Sequence, residues 1–132
     1  MPTKKILLVD DEEPVRALVA ATLGMDDRYQ LMEAKNGLEA LEVARRAKPD
    51  LILLDILMPG MDGFEVCRRL KAAPETRDIT IIMLTALAQE ARKAQAQQAG
   101  ANGFFSKPFS PTALLRKLEE VLGQPQSKED AP

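Results

Sequence analysis

Four places in the chain carry residues that could do chemistry: Asp10-Asp11, Asp55, Thr85 and Lys107. The first three follow largely apolar runs, namely Ile6 to Val9, Leu51 to Leu54 and Ile79 to Leu84, and Lys107 follows the short strand-like stretch Phe104 to Ser106. A carboxylate at the end of such a run is costly to bury unless its charge is compensated. If the ends meet, three acids face one lysine and a net charge of about −2 remains, which a divalent cation would neutralise. Carboxylate, carbonyl and water ligands suit Mg²⁺, which keeps some waters for an incoming phosphate. The chain has no histidine and a single cysteine, Cys67. That argues against zinc and excludes His-based catalysis. Mg²⁺, a lysine and a hydroxyl together form the usual clamp for a transferring phosphoryl group. Asp55 is the candidate nucleophile, because a carboxylate can form an aspartyl phosphate.

The positioning of these groups falls to the elements around them. Apolar runs between turn signals read as strands buried on both faces. Gln30 to Ala34 alternates and reads as a further short strand. Between the strands come helices. Pro14 suits a first helical turn, Val15, Leu18, Val19, Thr22 and Leu23 follow at helical spacing, and Gly24 ends the element. Asn36-Gly37 reads as a turn; Leu38, Leu41 and Ala44 mark a second helix closed by Lys48-Pro49. Pro59, Gly60 and Gly63 break the chain after Asp55, and Phe64, Val66, Cys67 and Leu70 mark a third helix ending near Pro74. Ala88 to Ala99 is helical by propensity but holds no large apolar residue, so weak packing is expected there. Ser110 and Pro111 open a last helix with Leu114, Leu115, Leu118, Val121 and Leu122 on one side and Gly123 at its end. Five strands alternating with five helices predict an α/β parallel sheet with helices on both faces. Right-handed crossovers then bring all strand carboxyl ends to one edge, where such sheets bind ligands.

With 132 residues, 45% of them apolar, the chain suits one domain, expected over 1–123, followed by a polar tail or linker start over 124–132 expected to be disordered. A net charge of −2 argues against direct nucleic-acid binding. No apolar run approaches the ~20 residues of a membrane span. Asp10 follows the opening lysines too soon for a signal peptide, and the lone Cys67 rules out an internal disulfide, so a reducing, cytoplasmic location is expected. Asp62 reads as a turn residue outside the site, Cys67 as inert core, and the methionines as packing.

Asp10-Asp11, Asp55-Ile-Leu-Met-Pro-Gly-Met-Asp-Gly63, Thr85-Ala86 and Lys107-Pro108-Phe109, taken in order, resemble the receiver domain of bacterial two-component response regulators. The likeness covers residues 4 to about 122 and implies a flavodoxin-like (βα)5 sheet of order 2-1-3-4-5. It implies that Asp55 accepts a phosphoryl group from a sensor histidine kinase or histidine phosphotransfer protein. It further implies that Asp10, Asp11, Asp55 and the backbone carbonyl of Leu57 serve Mg²⁺, with Asp10 acting largely through water. Thr85 would hydrogen-bond the phosphoryl group, Ala86 would lie beside it, and Lys107 would pair with it through a loop whose Lys-Pro bond is typically cis. Phe104 stands where the family keeps a switching aromatic; lacking a hydroxyl, it would act by packing alone.

The expected role is a switch that promotes its own phosphoryl transfer, not an enzyme acting on other substrates. The fourth helix, fifth strand and fifth helix would form the face presented to an effector protein or output domain, with the chain monomeric or dimerising on phosphorylation. Leu57 and Leu87, which border the phosphoryl group in this resemblance, would shield it and slow its hydrolysis. A flavin carrier of the same architecture is disfavoured, because Asp10 to Glu13 would repel a phosphate after the first strand. An aspartate-nucleophile phosphatase is disfavoured too, because Leu57 stands where it needs an acid.

Overall fold

Runs of consecutive apolar residues can be buried only if both faces of a strand are covered, and the fold meets that requirement. The computed structural model describes residues 3–86 and 93–122. Strands β1 (Lys4–Val9), β2 (Tyr29–Ala34), β3 (Leu51–Asp55), β4 (Thr80–Ala86) and β5 (Gly103–Lys107) alternate with helices α1 (Glu13–Leu23), α2 (Gly37–Ala47), α3 (Gly63–Ala72), α4 (Lys93–Gln98) and α5 (Pro111–Leu122). All strand pairs are parallel and the order is β2-β1-β3-β4-β5. Both agree with the reading of the sequence. β3 lies at the centre and every one of its residues is buried.

Side-chain alternation sorts the core into two layers. Leu7, Val9, Ile52, Leu54, Ile81 and Met83 pack under α2, α3 and α4 with Phe64, Leu70 and Ala96. Ile6, Leu8, Leu51, Leu53, Ile82 and Leu84 pack on the opposite face with Val19 and Leu23 of α1 and Leu114 and Leu118 of α5. Cys67 is fully buried and burial pushes its thiol up to about 11, consistent with inert core. Met58 and Met83 are buried, whereas Met25 is 91% exposed.

Local chemistry adjusts several boundaries. Asn36 and Gly37 do not form a separate turn. Asn36 caps α2, its side chain accepting from the Glu39 N–H at 2.9 Å, while Glu39 Oε1 accepts from the Lys35 N–H at 2.7 Å. Gly37 then packs where a Cβ would lie 2.9 Å from both Met61 Cβ and Val66 Cγ2. This turns Leu38 outward, 70% exposed, and leaves Gly37, Ala40, Leu41 and Ala44 as the buried face. Lys48 closes α2 in the left-handed region at φ 48°, directly before Pro49. Gly24 ends α1 with ordinary right-handed geometry, φ −63°. Among the described residues, α4 is anchored by small side chains, Ala96 and the adjacent Ala99, in line with its composition. The first part of the expected 88–99 helix, Leu87, Gly123 and the 124–132 tail lie outside the described residues. Ser110 caps α5, its Oγ accepting from the Ala113 N–H at 3.1 Å.

Candidate functional site

Register brings the acids together. Val9 of β1 pairs with Leu54 of β3, so the next residues, Asp10 and Asp55, emerge side by side. One carboxylate oxygen from each of Asp10, Asp11 and Asp55 lies within 4.8 Å of the others. Asp10 and Asp55 are buried; Asp11 is exposed. Lys107 arrives from the edge strand β5, with β4 between it and β3. Its long side chain spans that gap. Nζ sits 2.8 Å from Asp10 Oδ2, 3.0 Å from Glu12 Oε1 and 3.3 Å from Asp55 Oδ1. The contact to Asp10 is an ion pair between the ammonium and a fully buried carboxylate. The Lys107-Pro108 bond is cis.

The frame around the acids is tight. Asp10 Oδ1 accepts from the Glu12 N–H at 2.9 Å, and the Asp10 carbonyl accepts from Arg16 Nη1 at 2.9 Å. After β3 the chain loops out and returns at Gly63, whose N–H donates to the Ile56 carbonyl at 2.9 Å. A Cβ on Gly63 would stand 2.3 Å from the Asp55 carbonyl oxygen. Only glycine lets α3 start against the residue that carries the site. Asp62 caps α3, accepting from the Glu65 N–H at 3.0 Å, and stays out of the acid cluster.

A cleft of about 220 Å³ opens over these groups, lined by Asp11, Glu12, Asp55, Leu57, Ala86 and Lys107. Leu57 is half-exposed at its rim. Thr85 is fully buried, and its hydroxyl has no hydrogen-bond partner among the described residues. Alternation along β4 puts Thr85 on the same face as Ile81 and Met83. Phe104 pairs in register with Met83, is partly buried and packs on the same core layer. Thr85 and Phe104 therefore share the sheet face covered by α2, α3 and α4.

The electrostatics follow from this crowding. Burial pushes the Asp55 carboxyl up, Asp10 pushes it further, and Lys107 pulls it partly back, leaving it at about 7. For Lys107, burial acts downward, but the carboxylates of Asp10, Asp55 and Glu12 outweigh it and hold the ammonium above its ordinary pKa. One lysine thus faces more negative charge than it can balance. The donor set is oxygen-only and rich in carboxylate, which suits a hard divalent cation and no soft metal.

The structure brings Asp10, Asp11, Asp55, Ala86 and Lys107 together at one cleft and places Leu57 at its edge. It also adds two residues that sequence reasoning passed over. Glu12 follows the paired acids, and its signal is its place at the start of α1, since glutamate is a poor helix cap. In the sequence Gly63 shows as a chain breaker at the end of the Asp55 motif, and its close approach to the Asp55 backbone emerges only on folding.

A family model described as the response regulator receiver domain matches residues 6–119. The phosphate regulon transcriptional regulatory protein PhoB of Pseudomonas aeruginosa is 48% identical over 122 residues, covering 92% of this chain and 53% of that protein. The transcriptional regulatory protein ResD of Bacillus subtilis is 43% identical over 118 residues, covering 89% and 48%. The chain thus spans about half the length of these curated relatives. Among solved structures, the chemotaxis response regulator CheY4 of Vibrio cholerae superposes with a TM-score of 0.84 at 36% identity, covering 91% of this chain and 99% of that one. The receiver domain of the sensor histidine kinase PA1611 from Pseudomonas aeruginosa, solved with a magnesium ion coordinated in its active-site cleft, superposes with a TM-score of 0.81 at 32% identity, covering 90% and 97%. Strand order, cleft and sequence likeness agree, and the chain belongs to the response regulator receiver domain family.

Proposed function

We propose that this chain is the phosphoacceptor of a two-component phosphorelay and that Asp55 takes the phosphoryl group. The observation that carries this is the seating of Asp55. Its carboxylate ends the central strand, opens to the cleft, and lies 3.3 Å from Lys107 beside Asp10 and Asp11. The donor is a histidine kinase or histidine phosphotransfer protein. An Asp55 oxygen bonds to phosphorus as the phosphohistidine P–N bond breaks, and the imidazole leaves. Asp10, Asp11 and Asp55, with the Leu57 backbone carbonyl, would hold Mg²⁺. Such a cation neutralises the carboxylates and the phosphoryl oxygens.

The other residues then take definite roles. Lys107 is the ion-pair partner of the new phosphoryl group, and Ala86 borders it. Thr85 answers the added charge with its buried hydroxyl, which has no hydrogen-bond partner among the described residues. Phe104, on the same sheet face, relays the shift by packing. The face of α4, β5 and α5 is read by an effector protein or an output domain, and its lightly anchored α4 is the bistable element. No helix among the described residues is long and apolar enough to cross a membrane, and the function as read suits the cytoplasm.

The test is direct. Incubation with Mg²⁺ and acetyl phosphate adds one phosphoryl group, detected by intact-mass spectrometry. Asp55→Asn abolishes it. Labelling that persists in the variant overturns the assignment.

A further inference from the structure

Glu12 opens α1 in the capping position but makes no capping hydrogen bond. Helices favour Ser, Thr, Asp or Asn there because a short side chain can reach back to the first free N–H groups. Glu12 breaks that preference and extends instead to Lys107, with Oε1 3.0 Å from Nζ. A residue that forgoes a local role for a distant contact invites a functional account.

Lys107 carries three N–H donors, and three carboxylates surround its ammonium within 3.3 Å. On the phosphoacceptor reading above, it must turn a donor toward the phosphoryl group and loosen one of these contacts. Asp10 is fully buried, so stranding its charge would be costly. Asp55 is the reacting group. Glu12 is different: its side chain is 59% exposed and water can solvate it once released. It also lines the cleft through which a phosphodonor must enter.

We infer that Glu12 is a positioning residue that acts as an electrostatic gate: it holds Lys107 in the resting state and repels phosphodonor anions until it is displaced. Glu12 touches neither the phosphorus nor Asp55 in this role and works through Lys107 and through charge. Because its side chain caps nothing, replacing it leaves α1 intact.

The experiment compares the full chain with Glu12→Gln and Glu12→Ala in Mg²⁺ and acetyl phosphate, following phosphorylation by intact mass at rising NaCl. Both variants are expected to be phosphorylated about 2- to 5-fold faster than the parent at low ionic strength, the span of an exposed ion pair. The gain should fade at about 1 M salt, where charges are screened within a few ångströms. A merely structural role for Glu12 would show no such salt dependence. Asp55-dependent labelling with parental rates in both variants, or a gain that salt leaves untouched, overturns the gate and leaves the phosphoacceptor reading standing. Labelling that survives Asp55→Asn overturns both.

Discussion

Asp55→Asn should stabilise the protein above neutral pH, and the structure sets the size of the effect. Asp55 is buried beside Asp10 and titrates at about 7, against an ordinary value of 3.8. Between these two values the folded chain holds a proton that the unfolded chain has lost. Stability contributed at this site therefore falls as pH rises through that window and levels off above about pH 7. At about 1.36 kcal/mol per pK unit the full difference is about 4 kcal/mol. The cleft admits water, which screens the charge on Asp55, so about 2 kcal/mol is the working figure. Asparagine keeps the shape and removes the charge. The assay is urea unfolding of both proteins in EDTA, followed by circular dichroism, at steps from about pH 4 to 8. The variant should be the more stable by about 2 kcal/mol at pH 8, and the difference should close toward pH 4. Adding Mg²⁺ should narrow the gap, because a cation that binds only the folded parent stabilises it. A difference that does not change with pH, or a variant less stable at pH 8, would refute the electrostatic account.

Other substitutions probe the frame. Gly63→Ala forces a Cβ to within 2.3 Å of the Asp55 carbonyl oxygen. It should lower stability by about 2 kcal/mol in chemical denaturation and slow acetyl phosphate labelling, since the backbone under Asp55 must move. Thr85→Val removes a buried hydroxyl that has no partner among the described residues. It should leave stability unchanged or raise it by about 1 kcal/mol, yet abolish the change in hydrogen exchange over β5 and α5 that a beryllium fluoride mimic is expected to induce in the parent. Leu57→Asn puts a water-orienting amide at the cleft rim and should shorten the phosphoryl lifetime, measured by mass decay after the donor is removed.

Much of the fold is legible in one dimension because burial leaves a pattern. Ile6 to Val9, Leu51 to Leu54 and Ile81 to Leu84 are uninterrupted apolar runs, and only strands covered on both faces tolerate them. The polar residue ending each run marks where the chain leaves the core, so Asp10, Asp55 and Thr85 could be picked out as strand-end groups, as could Lys107 after the short stretch Phe104 to Ser106. Strand order is different. Periodicity records which residues are buried but not which strands lie beside one another, and the order 2-1-3-4-5 rested on resemblance. Leu38 shows the same limit: its spacing matched a buried face, but Gly37 packs against Met61 and Val66 and rotates it into solvent.

The acids and the lysine were present in the sequence as residue types, and their chemistry follows from those types alone. What the tertiary structure decided is their mutual field. Glu12 meets Lys107 across 95 positions of chain, a contact no local pattern encodes. Asp55 titrates near 7 because folding buries it and sets Asp10 against it, one strand away. Charge interactions depend on distance and solvation, and both are set only when the chain folds.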